Sequence, residues 1–270
     1  MKNTKLALIY DFDKTLSPKD MQEFHYIRSL GYEDPSDFWS ECGVFSQKHN
    51  CDSILSYMYL MVSKNPDLTR KQLIEEGKYI KLYKGVATWF DRINDYGKKH
   101  HVDVEHYVIS SGITDIIKGT SIADQFKKIY ACTYAYDDKG KVLWPSRVVN
   151  YTMKTQYLFR INKGVLEETN DEDLNSSTPE SAKYIPLENM VYFGDGSTDV
   201  PSMKVVQQNG GMTIAVFGDV SKSNKAQQLY TDKRATFFAK ADYSKGSRIE
   251  KIVQGIIDSL ESKNRLENFR

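Results

Sequence analysis

Leu6-Ala7-Leu8-Ile9-Tyr10 runs directly into Asp11-Phe12-Asp13-Lys14-Thr15-Leu16. An uninterrupted apolar run of this length predicts a central parallel strand that is buried on both faces. Ligands of open α/β sheets bind at the carboxyl ends of the strands, so we expect Asp11 and Asp13 to face a crevice there. Two carboxylates placed in this way are typical of a nucleophile paired with a proton donor. The alternative is an ordinary solvent-exposed turn.

The composition of the chain bounds its class and its partners. The 270 residues suit one large domain or one domain with an insertion. The formal net charge of +1 gives no overall field for nucleic acid or an anionic membrane, so we expect neither partner. The first apolar run is too short for a signal peptide or a membrane span. Cys42, Cys51 and Cys132 show no metal-like pairing, which predicts free thiols in a cytoplasmic protein.

Four further apolar runs alternate with helical patterns along the chain. We expect strands over 104–109, 129–135, 190–193 and 212–217. A helix is expected over 87–96, with Gly97 as its C-terminal stop. Strands that alternate with helices imply right-handed crossovers and a sheet covered on both faces. The predicted fold class is therefore α/β, with a doubly wound, mostly parallel Rossmann-like sheet as its core.

Residues 17–83 interrupt the alternation and predict helices only. Helical spacing follows Ser17-Pro18, Asp52 and Thr69, and Thr69 forms a capping-box pattern with Gln72. An insertion that leaves and re-enters beside a crevice is well placed to cover it. We therefore predict a mobile α-helical cap domain over 17–83, with Gly85 at its return, and an α/β catalytic core over 1–16 and 84–270. The alternative is that these helices only extend the core.

Groups suited to binding phosphate are predicted at two further places. Ser110, Ser111 and Gly112 follow an apolar strand and offer a hydroxyl and backbone amides, although a Ser-Gly pair after a strand is also an ordinary turn. Lys154 falls near the start of a helix predicted to run to residue 162. A cation there opposes the helix dipole, so local stability does not explain it. Lys163 and Arg147 are the alternative cations.

A second pair of carboxylates follows the 190–193 strand, in Gly194-Asp195-Gly196-Ser197-Thr198-Asp199. Pro201 then suits the first turn of another helix. Together with Asp11 and Asp13, these carboxylates would repel one another unless a cation lay between them. Hard oxygen ligands on an open turn suit Mg²⁺, which is the cofactor we predict.

These segments, in this order, resemble the four motifs of the haloacid dehalogenase superfamily of phosphatases. They are the run that begins at Asp11, then Ser110, then Lys154, then the run from Gly194 to Asp199. The helical insertion resembles the cap that many members carry between their first two motifs. Leu82-Tyr83-Lys84-Gly85-Val86 resembles the return from cap to core in the phosphoserine phosphatase-like branch.

The resemblance implies a Mg²⁺-dependent phosphatase that hydrolyses a small phosphomonoester through an aspartyl-phosphate. Asp11 would be the nucleophile, and Asp13 would act as general acid and then as general base. The groups implied to bind the substrate phosphate are Ser110, Ser111, Gly112 and Lys154. The implied metal ligands are Asp11, the backbone carbonyl of Asp13, Asp195 and, directly or through the outer shell, Asp199.

Three positions depart from the phosphoserine phosphatase pattern. Ser111, Thr198 and Asp20 stand where those enzymes usually have glycine, asparagine and glutamate, which argues against serine phosphate as the substrate. A phosphomutase that uses the same intermediate is the nearest alternative function, and an inactive phosphoester-binding protein is another. The polar segment 164–186 predicts a solvated loop rather than a partner-binding acidic patch.

Overall fold

The computed structural model describes residues 4–196, 198–219, 223–267 and 269, so Ser197 of the predicted metal turn lies outside the described residues. Its strands are β1 (Thr4–Tyr10), β2 (Val102–Ile113), β3 (Lys128–Tyr136), β4 (Val142–Arg147), β5 (Met190–Gly194), β6 (Met212–Phe217) and β7 (Phe237–Lys240). They form one seven-stranded sheet in the order β4-β3-β2-β1-β5-β6-β7. All pairs are parallel except β3 with β4.

Helices cover both faces of this sheet, which confirms the doubly wound α/β prediction. The α-helices of the described residues, including those of the insertion, are α1 (Tyr26–Ser29), α2 (Pro35–His49), α3 (Ser53–Lys64), α4 (Arg70–Glu76), α5 (Val86–Lys99), α6 (Thr114–Lys118), α7 (Tyr151–Lys163), α8 (Asp171–Asn175), α9 (Val200–Gln208), α10 (Ser223–Thr231) and α11 (Arg248–Glu267). Strand β1 lies at the centre, between β2 and β5, and its residues Leu6 to Tyr10 are fully buried. The carboxyl end of β1 therefore lies between the ends of its two neighbours.

The predicted strands are all present, but β2 is longer than expected. It runs on to Ile113, and its pairing with β3 is irregular between Ile109 and Ile113. Ser110 to Gly112 thus belong to the end of the strand and do not follow it, and the alternative of an ordinary turn at these residues is wrong. Strands β4 and β7 were not expected from the sequence, because β4 is an antiparallel edge strand containing Pro145 and β7 has only four residues.

Gly97 does not end its helix as predicted, because α5 continues to Lys99. A Cβ atom on Gly97 would lie 2.7 Å from the carbonyl oxygen of Val102 and 2.6 Å from a methyl group of Val104. The glycine therefore allows α5 to approach β2 closely, which is a packing requirement and not a capping signal.

The insertion between β1 and α5 is helical, as predicted, and contains α1 to α4. The side chain of Asp52 caps α3, and Thr69 and Gln72 form the expected capping box on α4. The chain leaves and returns at one place, since the backbone N–H of Tyr83 donates to the carbonyl of Leu16 (2.9 Å). The apolar residues of the insertion are continuous with the core cluster. A separate, mobile cap over 17–83 stays a prediction.

The segment 164–186 is largely exposed to solvent, as predicted, but it is not only loop. It contains the short helix α8 and is held by Arg160, a buried side chain with 2% exposure. The guanidinium of Arg160 donates to the carbonyl oxygens of Glu167 (2.7 Å) and Asn170 (3.2 Å) and pairs with Asp171 (2.6 Å). These contacts of Arg160 show that some polar groups of the segment stabilise the fold. In the described part of the chain, no helix has the length and apolar character needed to cross a membrane.

Candidate active site

Asp11 is held at the end of β1 by hydrogen bonds to backbone groups. Its N–H donates to the carbonyl of Phe193 on β5 (2.9 Å), and its Oδ1 accepts from the N–H of Phe12 (2.8 Å). The loop that follows is tight, because the carbonyl of Phe12 accepts from the N–H of Leu16 (2.9 Å). With Oδ1 occupied in this way, Oδ2 of the nearly buried Asp11 side chain is the oxygen directed to other groups.

Lys154 supplies a buried positive charge to this carboxylate. Helix α7 begins at Tyr151, as expected, and Lys154 projects from its start with 1% exposure. Its Nζ lies 3.1 Å from Oδ2 of Asp11 and 2.8 Å from Oδ1 of Asp199. Burial by itself lowers the pKa of Lys154, but the charges of Asp11 and Asp199 raise it well above its usual range. The side chain is therefore an ammonium that bridges two of the predicted metal ligands.

The two alternative cations lie in other interactions. Lys163 donates to the carbonyl oxygens of Leu174 and Ser176 (2.6 Å each). Arg147 pairs with Glu168 (2.8 Å). Of the three cations that the sequence offered, the structure brings only Lys154 to Asp11.

Asp11, Asp195 and Asp199 form a compact carboxylate cluster. One oxygen of each lies within 4.8 Å of the others, and Asp199 is fully buried. Gly194 permits this approach, because a Cβ atom there would lie 2.5 Å from Oδ2 of Asp199. Opposed ligands of an octahedral Mg²⁺ are about 4.2 Å apart, so the spacing is compatible with one ion.

The charge balance of this cluster favours a bound cation. Two of the three carboxylates, Asp11 and Asp199, pair with the ammonium of Lys154, and Asp195 forms no ion pair among the described residues. Burial and the charge of Asp199 raise the pKa of Asp195 to about 6, and burial also raises that of Asp11. Both pKa shifts arise first from burial of the carboxylates and then from their mutual repulsion, which the nearby cations do not fully offset. A divalent cation with oxygen ligands fits this donor set.

Asp13 lies beside the cluster in a different environment. Its Oδ1 is buried and has no hydrogen-bond partner among the described residues, and its Oδ2 lies 3.2 Å from the point where a Cβ on Gly112 would be. Burial, followed by the charge of Asp20, raises the pKa of Asp13 well above its usual range. Asp20 itself pairs with Lys14. The protonated form of Asp13 is thus favoured, as a proton donor requires.

Ser110, Ser111 and Gly112 lie at the end of β2, next to Asp13. The buried hydroxyl oxygen of Ser110 accepts from the N–H of Gly112 (3.0 Å), so this amide already has a partner. The carbonyl of Ser111 accepts from the hydroxyl of Tyr57 on α3 (2.5 Å), and the N–H of Ile113 donates to the sulfur of Met21 (3.1 Å). The helical insertion thus contacts this strand end directly.

Tyr192 is a member of the site that the sequence analysis missed. It is fully buried on β5, and its hydroxyl donates to Oδ1 of Asp199 (3.0 Å), the same oxygen that Lys154 contacts. A tyrosine in an otherwise apolar strand next to the 194–199 turn was the available signal. Its partner is visible only once α7, β5 and the turn are assembled.

No protein-family model matches the sequence. An uncharacterized protein of Borreliella burgdorferi is 30% identical to the chain over 277 residues, covering 90% of this chain and 93% of that protein. Among solved structures, a haloacid dehalogenase (HAD) family hydrolase of Salmonella enterica serovar Typhi is similar with a TM-score of 0.61 and 14% identity, covering 93% of this chain and 72% of that one.

A phosphoserine phosphatase in its apo form is similar with a TM-score of 0.57 and 17% identity, covering 87% of this chain and 93% of that one. Another phosphoserine phosphatase structure, of a phospho-aspartyl intermediate analogue, gives a TM-score of 0.52 at 18% identity, covering 87% and 93%. The chain therefore belongs to the same family as the Borreliella protein and has the fold of the HAD hydrolases, in the form seen in phosphoserine phosphatases.

Proposed function

We propose that the protein is a Mg²⁺-dependent phosphatase that hydrolyses a small phosphomonoester through an aspartyl-phosphate on Asp11. The observation that carries this proposal is the cluster of Asp11, Asp195 and Asp199 with the Lys154 ammonium between two of them. One solved structure of a phosphoserine phosphatase with the same fold represents an analogue of its phospho-aspartyl intermediate, which supports a covalent route.

Asp11 is the proposed nucleophile because its Oδ1 is held by the N–H of Phe12 while Oδ2 is directed towards Lys154. Attack by a carboxylate oxygen on phosphorus splits one difficult displacement into two easier ones. Lys154 neutralises charge on the phosphoryl oxygens, and Ser110 is proposed as a further donor to them. Positioning and charge stabilisation provide most of the catalysis in phosphoryl transfer.

Asp13 is the proposed general acid and base. A carboxyl group with a raised pKa carries a proton that it can give to the departing alkoxide. The resulting carboxylate can then take a proton from the water that hydrolyses the aspartyl-phosphate. Protonation of the leaving group matters most for alkyl phosphates, whose alkoxides are poor leaving groups.

Mg²⁺ is proposed to be held by Asp11, the backbone carbonyl of Asp13, Asp195 and Asp199. When bound, it would supply charge neutralisation for the phosphoryl group and a fixed orientation for the nucleophile. Asp199 accepts from Tyr192 and Lys154 through Oδ1 and from the backbone N–H of Gly196 through Oδ2 (3.3 Å), so Oδ2, which has fewer partners, is the oxygen proposed for the metal or for a metal-bound water.

The test is release of inorganic phosphate from p-nitrophenyl phosphate by the purified protein. We expect activity with Mg²⁺, loss of activity with a chelator, and recovery when Mg²⁺ is added back. Asp11→Asn should abolish turnover while leaving the fold intact. With a phosphorylated sugar as the substrate, formation of a rearranged phosphoester without free phosphate would instead identify a phosphomutase.

Glu250→Gln is the matched control for the Asp11 variant. It also converts a buried carboxylate in an ion pair into an amide, since Glu250 is 3% exposed and pairs with Arg92 (2.8 Å) where α5 packs against α11. The control should lose stability but keep its turnover number. Full activity of Asp11→Asn would exclude the covalent mechanism.

A further inference from the structure

A cleft of about 700 Å³ opens on the β6 side of the carboxylate cluster. Asp195 forms one wall, and the other walls come from Lys14 after β1, from Tyr83 at the return of the insertion, and from Lys225 on α10. Since β5 and β6 lie on the side of β1 opposite to β2, the cleft and Ser110 flank Asp11 from opposite sides. Because Asp195 belongs both to the cluster and to the wall of the cleft, a molecule bound at the cluster can extend into the cleft.

Lys225 presents an unpaired charge to this cleft. Its side chain is exposed and forms no ion pair in the part of the chain that the structure describes. Its Nζ lies 3.4 Å from the point where a Cβ on Gly196 would be, so the ammonium lies over the turn that carries Asp195. An anion bound beside Asp195 would be within reach of this ammonium.

Tyr83 and Lys14 add two further donors. The hydroxyl of Tyr83 has no hydrogen-bond partner among the described residues and packs at the backbone of Gly218, where a Cβ would lie 2.0 Å from it. Lys14 adopts a left-handed backbone conformation (φ +58°), which is unusual for a residue with a side chain. Its ammonium pairs with Asp20 and also lines the cleft.

The balance of groups in the cleft favours an anion. Its side-chain donors are Lys14, Tyr83, Asn224 and Lys225. Of the two carboxylates that line it, Asp195 is assigned to the metal in the proposed function, and Asp219 takes part in other interactions. The cleft is thus lined by the ammonium of Lys225, unpaired among the described residues, the ammonium of Lys14 that pairs with Asp20, a phenol, an amide and one further acidic side chain. Lysine ammonium groups form strong charge-assisted hydrogen bonds with carboxylates and phosphates.

We propose that this cleft binds a second anionic group of the substrate, a carboxylate or a second phosphate on the leaving group, so that phosphomonoesters carrying such a group are the preferred substrates. The inference rests on the proposed function, because the ester phosphate must occupy the site at Asp11. Lys225 is the main recognition residue, with Tyr83 and Lys14 beside it.

The test compares two pairs of substrates that differ in one anionic group. They are 3-phosphoglycerate against glycerol 3-phosphate, and fructose 1,6-bisphosphate against fructose 6-phosphate, with p-nitrophenyl phosphate as the generic substrate. In at least one pair, we expect kcat/KM of the more anionic ester to be about tenfold or more higher than that of its partner, since one charge-assisted contact is gained. The preference should weaken as salt is added.

Variants at the cleft assign this preference to its residues. Lys225→Met should lower the charge preference by about tenfold, mainly through KM, and Lys225→Arg should retain most of it. Tyr83→Phe should lower it by about threefold. Lys251→Met is the matched control, because Lys251 is an exposed lysine of α11 outside the cleft, and its preference should equal that of the wild type.

Two outcomes would overturn the inference in distinguishable ways. If p-nitrophenyl phosphate is hydrolysed but neither pair shows a preference, or if Lys225→Met slows all esters equally, the subsite is refuted and the phosphatase function stands. If no ester releases phosphate, p-nitrophenyl phosphate included, the proposed function fails and this inference fails with it.

Discussion

Tyr192→Phe isolates the contribution of one hydroxyl to the site. The change removes the hydrogen bond to Oδ1 of Asp199 and leaves the ring in place on β5. Both residues are fully buried, so no solvent replaces the lost donor. A hydrogen bond to a charged group contributes about 1.5–3 kcal/mol, which corresponds to a fall in Tm of about 3–10 °C for a chain of this size.

The same variant should also lose activity. Lys154 contacts the same oxygen of Asp199. Without the tyrosine hydroxyl, the carboxylate of Asp199 and the ammonium of Lys154 are positioned less firmly. If the lost interaction energy is expressed in the transition state, kcat/KM falls by about 10- to 100-fold, at about 1.4 kcal/mol per factor of ten. The loss should be mainly in kcat, because the hydroxyl positions catalytic groups and does not contact the substrate.

Tyr107→Phe is the matched control for this prediction. Tyr107 is also a fully buried tyrosine of the sheet, and its hydroxyl donates to a carboxylate, Glu105, on the same strand. We expect a similar fall in Tm with kcat/KM within about twofold of the wild type. Equal activity of the two variants would refute the positioning role of Tyr192.

Three further predictions concern the carboxylates and the close packing at the site. Asp13→Asn should lower kcat/KM for alkyl phosphates by about 10²–10⁴-fold and for p-nitrophenyl phosphate much less, as a series of esters with graded leaving-group pKa values would reveal; an equal loss for all esters would argue against an acid role. In the metal-free protein, Asp195 has a folded pKa of about 6 against 3.8 for the ordinary group, so the stability it contributes is complete below pH 3.8 and is lost as pH rises through 6. The Tm of the wild type relative to that of Asp195→Asn, both measured with chelator, should therefore fall across this range, and Mg²⁺ should restore it at pH 7, whereas a difference that rises over the same range would contradict the assignment. Gly194→Ala places a methyl group 2.5 Å from Oδ2 of Asp199, so we expect a Tm loss equivalent to about 1–3 kcal/mol and weaker Mg²⁺ binding by calorimetry; unchanged binding would show that Asp199 can move freely.

Local patterns predicted most of the core sheet, because a buried parallel strand requires a continuous apolar run. Strand β6 has its predicted bounds, and β1 and β5 lie where their apolar runs predicted them. The errors fell where packing or pairing decides. A glycine is needed at position 97 because α5 approaches β2 closely there. The end of β2 depends on its irregular pairing with β3.

The sequence by itself determined which kinds of groups lie at the carboxyl ends of β1, β2 and β5, because a short polar segment after an apolar run is a local property of the chain. It predicted Lys154 as the cation of the site and left Lys163 and Arg147 as alternatives. In the tertiary structure it is Lys154 that reaches Asp11, because the packing of α7 against the sheet decides which ammonium lies there. The tertiary structure also placed the hydroxyl of Tyr192 on Asp199 and brought Lys14, Tyr83 and Lys225 around one cleft. These residues are far apart in the chain, and only the order of the strands makes them neighbours.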